Sequence, residues 1–242
     1  MRLITVISII FQLFMQTAHA GVMAATTRII YHAKAHEKSV MLANTNSYPV
    51  IVQSWVDEGA GEPESAAAPF ISLPPVLRLT PGEKQGLRII YNQAPLPQDR
   101  ESVFWLNLYE IPPEKIENEK EAVSRLRLVM NTQLKIFFRP AGLSLTPEEA
   151  VGKLAFHLLH EENGWFIECE NPTPLHISFT SLALLNGKQA QAVQQESDMM
   201  TAPYSKRRYR LSALTAPISH HNLVRFYYLN DNGALLMQDI AL

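Results

Sequence analysis

Short runs of apolar and β-branched residues, many alternating with polar residues, recur along most of the chain. They predict strands over Thr26–Tyr31, Ser39–Asn44, Val50–Val56, Leu87–Tyr91, Val103–Tyr109, Leu126–Phe138, Gly152–Leu159, Trp165–Glu170, His176–Leu185, Leu223–Leu229 and Ala234–Ile240. Turn-forming pairs such as Pro81-Gly82, Asn163-Gly164 and Asn186-Gly187 lie between these runs. Many short strands separated by turns favour an all-β fold built from β-sandwiches.

Helical signals are scarce in the same pattern. Thr146 followed by Pro147 is typical of a helix N-terminus and predicts one short helical turn. The segment 113–123 is charged and weakly patterned, so we expect a loop there. The pattern is interrupted at 139–142, which predicts two units, 21–140 and 141–242, each the size of one seven-stranded sandwich.

The first twenty residues have the pattern of a signal peptide. Arg2 precedes an apolar run from Leu3 to Met15, and Ala18-His19-Ala20 gives the small-x-small motif of a cleavage site. The apolar run is shorter than the roughly 20 residues that a membrane-spanning helix needs. The pattern therefore predicts cleavage after Ala20 and export, without stable membrane insertion of the remaining chain.

Composition and charge narrow the function classes. The chain has 21 Lys plus Arg and 23 Asp plus Glu, a net charge of -2, which gives no global reason to bind nucleic acid. The basic cluster around Arg207 is interpreted as a solvated face rather than a phosphate site. The single cysteine, Cys169, excludes an intrachain disulfide and a zinc site built on several cysteines. Its alternating surroundings favour a buried, inert thiol over a reactive one.

No motif supports an enzyme, a metal site or a cofactor. His157 and His160 are three positions apart in a predicted strand, where their imidazoles would point to opposite faces. His220 and His221 have no obvious third ligand, and the sequence contains no Gly-x-Ser-x-Gly motif.

Several segments together carry a resemblance to a known family. They are Thr27–Tyr31, 69–89, 95–113 (PLPQDRESVFWLNLYEIPP), 131–140 (NTQLKIFFRP), 170–179 and 227–233. In this order they resemble the periplasmic pilus-assembly chaperones, the PapD-like family, over nearly the whole chain after residue 20.

The resemblance implies two immunoglobulin-like β-sandwiches joined in an L or boomerang, with a cleft between them. It implies no catalytic activity, no nucleotide and no other cofactor. The expected partners are newly exported pilus or fimbrial subunits, each missing its last strand, and an outer-membrane usher that receives them. The chaperone lends one of its own strands to the subunit, which is donor-strand complementation.

The residues around 124–132 fit a donor strand. Leu126, Leu128 and Met130 share one face of a predicted strand, while charged and amide side chains occupy most of the other. Such a strand, lying at an edge, can pair through its backbone and insert three apolar side chains into a partner. The alternative is a strand that buries the same face in its own sandwich. An exposed apolar edge favours aggregation, so we expect self-capping by dimerisation or by the charged loop.

Five further residues take roles that the resemblance implies. Arg28 and Lys135 are expected in the cleft, where two cations clamp the C-terminal carboxylate of the subunit. The alternative is that both are ordinary surface residues. Glu101, Arg139 and Asp231 are expected to form an ion network between the domains, which sets their relative angle more than it adds stability.

The chain also departs from its relatives. Many of them have a disulfide late in the second domain, which a chain with one cysteine cannot form. The loop after Pro113 is longer than in the short-loop chaperones but lacks the cysteine pair of the long-loop group, and we favour the short-loop type. The competing hypothesis is an exported two-domain adhesin or structural pilus component, which should lack the Arg28–Lys135 pair and carry its own N-terminal donor extension.

Overall fold

Strands dominate the described part of the chain. The computed structural model describes residues 21–65, 68–113, 129–162, 164–187, 189–212 and 222–242. Within them, strands up to Arg139 form two sheets, and strands from Ala155 onward form a second set of sheets. This arrangement confirms the all-β prediction of two sandwiches. The predicted signal peptide and most of the 113–123 loop lie outside the described residues.

The N-terminal sandwich contains a four-stranded and a five-stranded sheet. Its strands are β1 (Val22–Ala24), β2 (Arg28–His32), β3 (Lys38–Asn44), β4 (Val50–Asp57), β5 (Phe70–Leu73), β6 (Val76–Leu79), β7 (Lys84–Tyr91), β8 (Ser102–Ile111) and β9 (Met130–Arg139). The strand orders are β1-β3-β7-β5 and β2-β9-β8-β4-β6. A 3-10 turn spans Pro63–Ser65. β2 pairs with β9 in parallel, whereas β8 pairs with β9 antiparallel.

The two sheets share one apolar core. Leu42 on β3 and Leu87 on β7 come from the first sheet, and Leu106 on β8 and Ile136 on β9 come from the second; all four are fully buried. Their neighbours along each strand point to the opposite face of the sheet, as the two-residue period of a strand requires. This core holds β9 in place from Leu134 onward.

The C-terminal sandwich follows a short helix. Its elements are α1 (Pro147–Val151), β10 (Ala155–Glu161), β11 (Gly164–Asn171), β12 (Ile177–Asn186), β13 (Gln189–Ala192), β14 (Met200–Thr201), β15 (Ser205–Arg210), β16 (Asn222–Leu229) and β17 (Leu235–Ala241). One sheet has the order β10-β11-β15, and the other has the order β13-β12-β16-β17 with β14 beside β12. No helix in the described ranges has the length and apolar character needed to cross a bilayer.

A capping box starts α1. The Thr146 side chain accepts a hydrogen bond from the Glu149 N–H, and the Glu149 carboxylate accepts one from the Thr146 N–H. The backbone hydrogen bond from Thr146 lowers the pKa of Glu149. The predicted helix start is thus confirmed, but the predicted strand from Gly152 is wrong at its beginning. Gly152 is the C-cap of α1, and the strand starts at Ala155.

The single thiol belongs to the second core. Cys169 on β11 has no exposed surface and packs with Ile167, Tyr209 and Phe226 in the same apolar cluster. Desolvation by this burial raises the pKa of the thiol to about 12. The buried thiol predicted from the sequence is therefore confirmed, and it is un-ionised at neutral pH.

Candidate binding cleft between the two sandwiches

One edge of β9 is open over half of the strand. β8 pairs with β9 from Met130 to Phe138, but β2 pairs with the opposite edge from Lys135 to Arg139. Within the described ranges, no strand pairs with that edge between Met130 and Leu134. Backbone N–H and C=O groups along an unpaired edge are available to another strand.

The face of β9 that packs in the core extends beyond the core at its N-terminal end, where it is exposed to solvent. Leu134 and Ile136 are buried in the N-terminal core, whereas Met130 on the same face is 50% exposed. The alternative interpretation, a strand that buries this face in its own sandwich, therefore fits the second half of β9 but not Met130. Leu126 and Leu128, the other expected donor residues, lie outside the described residues.

Arg28 and Lys135 are neighbours across the parallel pair. They are register partners on β2 and β9, and both leave the face opposite to the core because Ile29 and Ile136 turn inward. The structure thus brings both expected cations to one surface. Parallel neighbours of this kind are about 5 Å apart at their Cα atoms. Their side chains therefore leave the same face of the sheet from adjacent positions.

Arg28 is held against the C-terminal sandwich. Its Nη1 donates to the carbonyl oxygen of Leu229 at 3.0 Å, and its guanidinium lies 5.5 Å from the centre of the Phe137 ring. Burial lowers the pKa of Arg28, and the charges of Asp231 and Glu101 oppose that effect. Only 8% of the residue is exposed, and its Nε has no hydrogen-bond partner in the described chain. Arg28 is therefore not an ordinary surface residue.

Lys135 has a partner that the sequence did not indicate. Its Nζ lies 2.6 Å from Oδ1 of Asp198, which belongs to the segment between β13 and β14 of the C-terminal sandwich. The Lys135 side chain is 26% exposed, and that of Asp198 is 41% exposed. The two residues are 63 positions apart, and nothing in the local sequence of either one signals the contact.

Arg139 joins two carboxylates. Its Nε and Nη2 donate to Oε1 of Glu101 at 2.9 and 2.7 Å, and its Nη1 donates to Oδ2 of Asp231 at 2.6 Å. Burial acts to lower the pKa of Arg139, but the hydrogen bonds and charges of Asp231 and Glu101 outweigh it and raise the pKa. Glu101 also accepts from the N–H of His176 at 2.8 Å. The group connects β9, the start of β8 and the turn after β16.

The turn after β16 approaches the N-terminal sandwich closely. Gly233 has a φ of +76°, and a Cβ placed on it would lie 2.7 Å from Oγ1 of Thr27. Both the backbone conformation and the space therefore require glycine. This contact lies beside Arg28, so the turn fixes one wall of the cleft.

Of the residues considered for enzymatic or nucleic-acid chemistry, those in the described ranges have other partners, whereas His220 and His221 lie outside those ranges. His157 lies 3.7 Å from Glu170, while the His160 ring packs on Trp165 with centroids 4.4 Å apart. The described residues contain no cluster of three or more His, Cys, Asp or Glu that could hold a metal. The basic cluster pairs across strands, with Arg208 of β15 on Glu168 of β11 at 2.8 Å. A solvated, charge-paired face accounts for this cluster.

Comparison with known proteins agrees with this architecture. Residues 21–144 match the family model "Pili and flagellar-assembly chaperone, PapD N-terminal domain", and residues 149–239 match "Pili assembly chaperone PapD, C-terminal domain". The chain is 35% identical to the chaperone protein FimB/FhaD of Bordetella pertussis, with 93% of this chain and 89% of that protein covered.

Solved structures show the same fold. The crystal structure of the YadV chaperone is 30% identical with a TM-score of 0.78, and the similarity covers 92% of this chain and 100% of that one. The Salmonella enterica SafB chaperone, solved in complex with the SafA pilin, gives 28% identity and a TM-score of 0.73 over 94% and 99% of the two chains. Matches of this extent across both sandwiches leave one conclusion: the chain belongs to the PapD-like family of pilus-assembly chaperones.

Proposed function

We propose that this protein is a periplasmic chaperone that binds pilus or fimbrial subunits by donor-strand complementation and delivers them to an outer-membrane usher. One observation carries the proposal: the open edge of β9 ends at two neighbouring cations, Arg28 and Lys135. An open edge offers backbone pairing to a strand, and paired cations offer a place for its terminal carboxylate.

The mechanism combines three contacts. The backbone of residues 130–134 pairs with a strand of the subunit along the edge opposite to β8, which has no partner there in the described chain. Leu126, Leu128 and Met130 enter the apolar groove that the missing strand of the subunit leaves open. The C-terminal carboxylate of the subunit receives charge-assisted hydrogen bonds from Arg28 and Lys135, and these fix the register of the pairing.

The remaining parts of the proposal concern processing and organisation. We infer export through a signal peptide, residues 1–20, cleaved after Ala20, and domains spanning 21–140 and 141–242. Binding and capping a subunit require no bond to be made or broken, so the proposed function needs neither a catalytic residue nor a cofactor. Capping of the open edge by a second copy of the chain stays a prediction, as does the ion network as the element that sets the interdomain angle.

The test is capture of a subunit in the periplasm. We expect Arg28→Ala and Lys135→Ala each to leave the protein folded and to abolish co-purification of a co-expressed subunit. Lys84→Ala is the matched control, because Lys84 is an exposed cation on β7 of the other sheet. Retention of the subunit by both cleft variants, at the level seen with Lys84→Ala, would falsify the clamp.

A further inference from the structure

The contact between Lys135 and Asp198 places a carboxylate at the expected position of a ligand. Lys135 lies on β9 of the N-terminal sandwich, and Asp198 lies between β13 and β14 of the C-terminal one, so their 2.6 Å ion pair crosses the cleft. An ammonium group paired in this way attracts a second carboxylate less strongly, because the two anions repel each other. Asp198 therefore bears directly on the strength of the proposed anchor.

Asp198 has a second cation within reach. Its Oδ2 lies 3.2 Å from Nη1 of Arg207, and its backbone carbonyl accepts from Nη2 of Arg207 at 2.5 Å. Arg207 is itself fixed by Glu196 at 2.6 Å and by the carbonyl oxygen of Met200 at 2.7 Å. Asp198 thus keeps a charged partner when it separates from Lys135.

Because the Lys135–Asp198 pair is partly exposed, separating the two groups costs little free energy. The Lys135 and Asp198 side chains are 26% and 41% exposed, so water reaches both groups while they separate. Breaking a fully buried ion pair leaves an uncompensated charge and is far more costly. Arg28, by contrast, hydrogen-bonds a backbone carbonyl and lacks a partner at Nε, and within the described residues no carboxylate forms an ion pair with it.

We propose that Asp198 is an intramolecular competitor for the anchor lysine. In the empty chaperone it occupies the Lys135 ammonium, and an incoming C-terminal carboxylate displaces it from Lys135, which leaves Asp198 paired with Arg207 alone. This inference rests on the proposed function, because it assumes that Lys135 binds such a carboxylate. The competition lowers the affinity for a carboxylate alone and favours ligands that also pair along the open edge of β9.

The test measures binding of two synthetic peptides by calorimetry. Both are N-acetylated decapeptides that alternate valine and threonine; one ends in a carboxylate and the other in an amide. We expect Asp198→Asn to bind the carboxylate peptide about threefold to fivefold more tightly than the unmodified protein does, as an exposed ion pair allows. Binding of the amide peptide should not change.

Glu196→Gln is the matched control. It removes one negative charge from the same loop, but Glu196 contacts Arg207 and not Lys135. We expect this variant to bind both peptides as the unmodified protein does. Asp198→Ser, which shortens the side chain, should reproduce the effect of Asp198→Asn, and thermal unfolding of each variant establishes that it is folded.

Lys135→Met separates the possible results. The gain from Asp198→Asn should disappear when Lys135→Met is combined with it. If Asp198→Asn binds the carboxylate peptide equally or more weakly, while Lys135→Met loses the preference for carboxylate over amide, the competitor is disproved and the anchor stands. If Lys135→Met retains that preference, the anchor is wrong and the competitor role fails with it.

Discussion

Cys169 illustrates how burial alone changes the chemistry of a residue. The thiol has no exposed surface, and desolvation raises its pKa from 9.0 to about 12. The thiolate is the reactive form, so the folded protein contains almost none of it at neutral pH. The group therefore belongs to the core of the C-terminal sandwich in the same sense as a small apolar side chain.

We expect the native protein to react with a thiol reagent about a hundredfold more slowly than the urea-unfolded protein, because labelling requires the fold to open. The raised pKa also has a stability consequence with a definite sign. The contribution of the protonated thiol is complete below the unfolded pKa near 9 and is lost as the pH rises toward 12. Labelling of Cys169 is measured by the absorbance of the chromophore that the reagent releases. Equal labelling rates in the native and the urea-unfolded protein would contradict the burial of Cys169.

Residues of the cleft differ in how far the sequence reveals them. Arg28 and Lys135 stand out because the segments that contain them resemble a family, but their adjacency depends on parallel pairing of two strands far apart in sequence. Asp198 lies in a segment without a repeating pattern, and its role depends wholly on a tertiary contact. Periodicity indicates the face of a strand, but it does not indicate which distant side chain is opposite.

At the scale of elements, β9 has two halves with different environments. Its second half is held between β2 and β8 over the core, while its first half has β8 as its one neighbour in the described chain. The same alternation therefore buries Leu134 and exposes Met130. A donor strand requires this combination of a fixed base and an accessible end.

A charge at the accessible end tests this division. We expect Met130→Asp to fold normally and to reduce subunit capture by at least about tenfold, since a carboxylate is costly in an apolar groove. Met41→Asp on β3 is the control, because Met41 is 47% exposed and Met130 is 50% exposed. Co-purification of the subunit with each variant is the measurement. Equal capture by the two variants would mean that Met130 does not enter the subunit.

The sequence pattern did not predict the short strands β1, β5, β6, β13 and β14, nor the charged strand β15. β15 has the sequence SKRRYR, which lacks apolar alternation and was interpreted as a basic cluster. Its outward cations are opposite acidic residues of β11: Arg208 pairs with Glu168, and Lys206 pairs with Glu170. Cross-strand ion pairs of this kind stabilise a sheet without any apolar signal in either strand. Strands with buried alternating faces, such as β11 and β16, were predicted to within one residue at each end.

At the scale of the whole molecule, the two sandwiches have separate apolar cores, and ion pairs and hydrogen bonds cross between them. The group formed by Glu101, Arg139 and Asp231 is the most buried of these ion pairs, with Arg139 and Glu101 side chains only 7% and 2% exposed. Removing one member of a buried ion group leaves the other charges without compensation. Removing Arg139 should therefore lower the free energy of unfolding far more than removing one member of a surface ion pair.

We expect Arg139→Met to lower the free energy of unfolding by about 3 kcal/mol, since Glu101 then stays buried without its arginine partner. Arg225→Met is the control. Its side chain is 40% exposed in a pair with Asp239, and its loss should cost no more than about 1 kcal/mol. Urea unfolding of both variants measures these changes. Equal decreases in the free energy of unfolding would show that the interdomain network contributes no more to stability than the surface pair.

The pairing of β2 with β9 starts at Lys135, so a strand that binds the open edge of β9 meets a fixed end point there. Under the proposed function, a bound strand is held at its last residue and extends away along β9, so each of its side chains is numbered from its own C-terminus. Because side chains alternate with a period of two, one added residue at that terminus would turn every apolar side chain to the wrong face. Two added residues would leave each side chain on its original face but shift it by two residues along β9. The chaperone would then select subunits by the number of residues between their apolar side chains and their C-terminus, as well as by the chemistry of those side chains.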